Sequence, residues 1–351
     1  MRYAPRASAE FNARLEASLV VLADDFRRTL GDDLVALVLG GGYGRGEGAV
    51  VRRDGVEHPY NDLDLMLVVR PGHRIDRRRV AALQERHEAL LGLEIDVGRL
   101  LTVEDIARWP CWLMWHDLVT RHQVLHGPPN VLTAHAPARV YEPLPVVEGT
   151  RLLLNRGAGL LWALRVARRI EAAPDDDFAR RNFYKCALAL GDALLIAHRR
   201  FTSRYEGRDA RLRELLDTQP AVSPIIGLYE KALLFKLSPD QLPAHAPQED
   251  ELDALARDWW RVFVTVENVR TEGRYDTPAA TLADTKPREP ALSQPSRWAR
   301  NLLHNLRNGR LSVSYPRERL YRALPPLLLE RGETTWPAAG EAFLRAWKHL
   351  I

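Results

Sequence analysis

LVALVLGGGYGRGEG, residues 34–48, is the stretch on which the fold of this chain turns. Its first six residues, Leu34 to Leu39, are apolar, too few for a stable helix, and run straight into glycine. That pattern reads as a buried strand feeding a tight loop. Downstream, DLDLMLVV at 62–69 reads as a second strand, closed by Pro71-Gly72. LEIDVGRLL at 93–101 reads as a third, with Leu93, Ile95 and Val97 opposing Glu94 and Asp96. A short fourth strand is expected at 123–126, before Gly127-Pro128-Pro129. Between the first two strands, polar residues 49–61 with Gly55 and Pro59 predict a loop or frayed hairpin, and residues 75–91 return to helical period. Upstream, Phe11, Leu15, Leu19 and Leu22 recur at helical spacing over 8–30, and Gly31 follows as a stop.

Beyond about residue 148 the pattern becomes helical: 149–171, 178–200, 223–237, 249–271, 297–306, 317–331 and 338–349. Polar, proline-bearing 274–296 reads as a loop. The expected fold class is α+β: a first domain over 1–147 built on a small mixed β-sheet with flanking helices, then an all-helical domain over 148–351. The length of 351 residues suits about two domains. With 46% hydrophobic and 27% charged residues, the composition excludes disorder and collagen-like repeats. A net charge of +4 is small for a protein that wraps a nucleic-acid backbone, so nucleic acid is disfavoured as a partner. Cys111 and Cys186 form no framework, no signal-peptide core opens the chain, and no run reaches the ~20 apolar residues of a spanning helix. The expectation is a cytoplasmic protein with no membrane partner.

The chemistry is expected where the strands meet the glycine loop. On a strand, Asp62 and Asp64 point to one face, about 6.5–7 Å apart, as do Glu94 and Asp96 on theirs. If the strands pair, these carboxylates converge. Two like charges ~6 Å apart repel by roughly 3 kcal/mol at an effective dielectric near 20. A divalent cation removes that penalty, and hard oxygen ligands select Mg²⁺ or Mn²⁺ over zinc. Opposite them, Gly40, Gly41, Gly42, Gly44, Gly46 and Gly48 let the backbone approach an anion with its N–H groups. No GK[ST] follows, so this is not a Walker A loop, and the charged continuation does not suit a dinucleotide fingerprint.

The order Gly41-Gly42, then Asp62-Leu63-Asp64, then Asp96 resembles the nucleotidyltransferases of the DNA polymerase β superfamily. Gly42-Tyr43-Gly44-Arg45-Gly46-Glu47 is similar to the GSRARGE loop of small bacterial members. The resemblance covers roughly residues 30–127. It implies transfer of NMP from an NTP, ATP being the common donor, to a hydroxyl of a small molecule or protein, with pyrophosphate leaving. By position, Gly41 and Gly42 would hold phosphates. Asp62 and Asp64 would bind two Mg²⁺ ions (or Mn²⁺), and Asp96 would bind one of them and help deprotonate the acceptor. Two departures stand out: Gly42 replaces the loop serine of many members, and the long spacing from Gly42 to Asp62 implies an inserted loop. The RRxD element of the tRNA-CCA-adding enzymes does not follow the DxD, a second reason to disfavour RNA.

Arg45 is a candidate phosphate contact. So is Lys185, one of five lysines among fifty basic residues, on the helix RRNFYKCALALGDALLIAHRRF. Its bland alternative is an ion pair with Asp192 on the same helix face. Glu47 reads as a structural or surface carboxylate. Tyr205 and Arg208 have base contact as their lesser alternative. His122-x3-His126 has no acidic or cysteine partner nearby and is not read as a zinc site. The rival to an enzyme is a catalytically silent nucleotide-binding or antitoxin-like regulatory module with the same fold.

Overall fold

The computed structural model describes residues 3–72, 75–275, 277–284, 286–307, 309–330 and 334–350. Residues 276, 285 and 331, within the expected loop 274–296 and helix 317–331, lie outside them. The chain is α+β and divides into two compact units. The first comprises residues 1–144 with two later returns, 202–207 and 233–243. The second comprises 145–201, 208–232 and 244–351.

The first unit opens with α1 (Ala9–Leu30), capped by the Ser8 hydroxyl accepting from the Phe11 N–H and ended at Gly31, φ +56°. Then follow β1 (Leu34–Leu39), the short turn of helix α2 (Gly41–Gly44), β2 (Val50–Arg53), β3 (Val56–Pro59), β4 (Leu63–Val69), α3 (Arg77–Leu91) and β5 (Ile95–Val97). Helices α4 (Val103–Ile106) and α5 (Leu113–Thr120) precede β6 (Gln123–His126). The main sheet has the order β5-β4-β1-β6. Strand β1 runs antiparallel to both neighbours, while β4 and β5 are parallel. The central places of β1 and β4 explain their near-continuous apolar sequences, since such strands are covered on both faces.

On one face Leu37, Leu39, Leu63, Leu65 and Leu67 pack with Phe11, Leu15, Leu19, Leu22 and Phe26 of α1 and Val80 and Leu83 of α3. On the other, Ala36, Val38 and Val68 meet Ile106, Trp109, Val119 and Leu132, with Trp109 and Trp115 stacked 4.3 Å apart. The expected frayed hairpin is the separate β2–β3 ribbon. Its turn residues Asp54 and Gly55 both have positive φ, as a two-residue turn between twisted strands requires.

The sequence misses α4 and α5 because both are short. The first is held by a capping box between Thr102 and Asp105, and the second is a half-exposed helix with one buried residue. Strand β5 is shorter than expected: it ends at Val97, after which the Gly98 N–H donates to the Leu65 carbonyl and a bridge joins Leu101 to Val68.

The second unit holds α6 (Val147–Ala167), α7 (Phe178–Ala197), α8 (Arg208–Arg213), α9 (Ile226–Leu237), α10 (Glu249–Arg270), α11 (Pro278–Ala283), α12 (Trp298–Arg307), α13 (Glu318–Leu329) and α14 (Trp336–Leu350). The last turn of α9 counts with the first unit. The short α8 and α11 are not legible as periodic segments. Helices α6 and α10 approach closely at Gly157, where a Cβ would lie 2.8 Å from the Trp259 indole nitrogen. Among the described residues no helix is long and apolar enough to cross a membrane.

Candidate functional site

The glycine turn and the DxD strand are bonded neighbours. The Gly40 N–H donates to the Asp64 carbonyl at 2.8 Å. Gly41 has φ +59°, and a Cβ on it would sit 1.6 Å from Asp64 Oδ2. Only glycine lets the backbone turn left-handed there while the carboxylate lies against its Cα. The turn is then closed from within: N–H groups of Gly44, Arg45, Gly46 and Glu47 donate to carbonyls of Gly40, Gly41, Tyr43 and Gly42. Tyr43 is its peg. Its ring is buried, its hydroxyl donates to the Ala49 carbonyl at 2.7 Å and accepts from the Tyr60 N–H. Burial pushes that phenol well above its ordinary pKa. Asn61 completes the support by accepting the Ala49 N–H at 2.9 Å.

The carboxylates come from paired strands. In the parallel ladder Asp64 is the register partner of Asp96, and Leu63 that of Ile95. Parallel partners project to the same face, so Asp64 and Asp96 stand side by side, with Asp62 two residues before Asp64. Asp62 and Asp96 are exposed and Asp64 is half-buried. Burial, then repulsion from Asp62 and, more weakly, from Asp96, raises the Asp64 pKa to about 6; Lys236 and Arg45 act the other way. Glu94 is exposed, and its backbone carbonyl accepts the Leu63 N–H.

Arg45 is held rather than loose. Its guanidinium lies 3.4 Å from Asp117 Oδ2, 3.7 Å from Glu47 Oε2 and 3.2 Å from the Tyr205 hydroxyl. It also lies 5.1 Å from the Tyr205 ring centre, and Lys236 Nζ reaches the same ring at 5.7 Å. Glu47, buried, accepts the Tyr205 N–H at 2.9 Å and so acts as a strut. All these residues belong to the first unit.

Lys185 is exposed on α7 in the second unit, and the lysine whose charge acts on Asp64 is Lys236. Asp192, read as a surface partner for Lys185, is buried and accepts from Arg208 (2.7 Å) and the Tyr229 hydroxyl (2.7 Å). Arg208 is thereby committed to a buried pair under the Phe201 ring. Lys236 and Asp117 escaped sequence reasoning because nothing local marks them; the scarcity of lysine was the one available signal. His122 sits past α5 with Nδ1 2.8 Å from the Leu118 carbonyl, and burial lowers its pKa.

Among the described residues no group of three or more His, Cys, Asp or Glu side chains is drawn into a metal-holding arrangement. The Asp62, Asp64 and Asp96 set nevertheless fits a hard divalent cation in donor chemistry and in charge: Asp64 and Asp96 are register partners, Asp62 directly precedes β4, and burial, then the charges of Asp62 and Asp96, raises the Asp64 pKa. No protein-family model matches the sequence, and no curated protein matches it.

Proposed function

We propose that the chain is a nucleotidyltransferase that moves NMP, with ATP as donor, to a hydroxyl of a small molecule or protein and releases pyrophosphate. The observation that carries this reading is the register pairing of Asp64 with Asp96 beside the left-handed turn at Gly41. A carboxylate cluster against a glycine turn suits a polyphosphate bound with divalent cations. Asp62 and Asp64 would hold two Mg²⁺ (or Mn²⁺) ions and Asp96 one of them. Those ions, when bound, supply neutralisation of the phosphate charge and activation of the acceptor oxygen.

The chain's own residues have separate tasks. Gly41 and Gly42 would present backbone N–H groups to the phosphates, with no side chain in the way. Asp96, exposed on the edge strand β5, would take the acceptor hydroxyl's proton. Lys236, in the place the sequence reading gave to Lys185, would counter the triphosphate charge. Arg45 would set the Tyr205 ring and raise the local positive potential. Catalysis is then chiefly positioning and electrostatics.

The test is incubation with α-labelled ATP, Mg²⁺ and pools of small-molecule and protein acceptors. Pyrophosphate release with label on an acceptor, reduced about a hundredfold or more by Asp64→Asn or Asp96→Asn, is the expected result. ATP binding by calorimetry with no turnover on any acceptor would favour the silent nucleotide-binding module instead.

A further inference from the structure

Helix α12 is turned against the usual rule. Its buried side chains are Asn301 and Asn305, while Trp298, Leu303 and Leu306 are 47%, 54% and 50% exposed. The inward amide nitrogens each donate twice. Asn301 Nδ2 donates to the carbonyls of Leu292 (3.0 Å) and Val313 (3.2 Å), and Asn305 Nδ2 to those of Ser312 (2.8 Å) and Ser314 (2.9 Å). These bonds fix the helix orientation and hold residues 312–314 beside it, so the outward apolar face is built in. That face continues past the helix in Leu311, 86% exposed, and Val313.

The charge along this stretch of sequence has one sign. Between Glu289 and Glu318 the sequence has no Asp or Glu and carries Arg297, Arg300, Arg307, Arg310 and Arg317. The two flanking glutamates are buried and engaged: Glu318 accepts the N–H groups of Arg288 and Glu289, and Glu289 binds Arg151 and the Tyr321 hydroxyl. Arg297, Arg300, Arg307 and Arg310 are exposed. After burial, Arg310 is the neighbour that lowers the pKa of Arg319, as expected within a positive patch.

Leu311 is almost fully exposed, and Trp298, Leu303 and Leu306 are about half exposed, so these apolar side chains are open to a partner surface. A lipid surface needs no groove: it accepts protruding tryptophan and leucine at the acyl boundary while its phosphates meet arginine. We propose that α12 and residues 311–313 dock this chain onto an anionic lipid surface, with Trp298, Leu303, Leu306 and Leu311 entering the interface and Arg300, Arg307 and Arg310 meeting headgroup phosphates. The expectation of no membrane partner rested on the lack of a spanning run, which surface docking does not need. The inference stands independently of the proposed activity.

The experiment is co-flotation of the full chain with vesicles of phosphatidylcholine alone and of phosphatidylcholine with about a third phosphatidylserine, at low and physiological salt. Binding to the anionic vesicles is expected to exceed that to neutral ones at least tenfold and to weaken with salt. Leu303→Asp with Leu306→Asp should abolish it, and Arg300→Glu with Arg307→Glu should lower it at least tenfold. All four positions are exposed, and unchanged circular dichroism and melting temperature would show that the variants fold. No flotation with anionic vesicles, or flotation unaffected by the leucine variants, overturns the proposal. So does a wild-type dimer in sedimentation that Leu303→Asp dissociates, because a second copy would then be the occupant.

Discussion

Asp64 costs the fold stability at neutral pH. Its pKa is about 6 in the folded chain against 3.8 for the free group, so the folded state holds the proton more tightly. The sign follows: this residue favours folding at low pH, and the contribution is lost as pH rises from about 4 through about 6. At one pKa unit per 1.36 kcal/mol, the ceiling is about 3 kcal/mol at pH 7. Asp64→Asn is therefore expected to raise the melting temperature at pH 7 without divalent ions, with the gain shrinking toward pH 4. Added Mg²⁺ should raise the wild-type melting temperature and leave the variant nearly unmoved. A variant melting at or below wild type in metal-free buffer at pH 7 would contradict the account.

Gly41→Ala tests the turn itself. A left-handed non-glycine residue costs about 1–3 kcal/mol, and its methyl would also collide with the Asp64 carboxylate. Loss of stability in urea should come with loss of ATP binding. Lys236→Ala should weaken ATP binding about tenfold, whereas Lys185→Ala should leave it unchanged; calorimetry separates them. The carboxylates and glycines at this scale were legible in the sequence, because strand alternation and glycine spacing are local properties. Lys236 and Asp117 were not, and Tyr205 was read only as a lesser base contact, because their approach to the glycine turn depends on distant segments of the chain.

At the scale of elements, the second unit is stapled by a buried ionic network. Arg288 donates to Glu267 at 2.6 Å, to the Tyr275 hydroxyl at 2.9 Å and to the Thr281 carbonyl, while Arg270 and Thr150 also engage Glu267. Glu318 binds the backbone of Arg288 and Glu289 and so fastens the end of the proline-rich stretch to α13. Composition alone makes 274–296 a polar loop; the structure shows part of it buried as an ionic clasp. Arg288→Ala would leave Glu267 with less counter-charge in a dry site, at an expected cost of about 3–5 kcal/mol. Equilibrium unfolding in urea checks it, and a loss below about 1 kcal/mol would mean the clasp is wet. The main helices and strands of both units follow their hydrophobic periods. The misses, α4, α5, α8 and α11, are all eight residues or shorter, where caps and contacts outweigh period.

At the scale of the whole molecule, the first unit is discontinuous in sequence. Segments 202–207 and 233–243 return to it, bringing Tyr205 onto Arg45, Lys236 toward Asp64 and Phe235 edge-on to Tyr60 at 5.8 Å. A fragment ending at residue 147 loses all three. It should melt lower than the full chain and bind ATP at least tenfold more weakly, whereas equal affinity would show that the returning segments are dispensable.

Sequence by itself determined the α+β order, the strands that carry Asp64 and Asp96, with Asp62 just ahead of the first, and the glycine turn before them. These follow from side-chain periodicity and backbone freedom, which act over a few residues. Only the tertiary structure decided that Asp96 stands in register with Asp64, that the charge of Lys236 acts on Asp64, and that α12 turns its asparagines inward. Each of those depends on which distant backbone groups and charges packing brings within reach, and no local pattern encodes that.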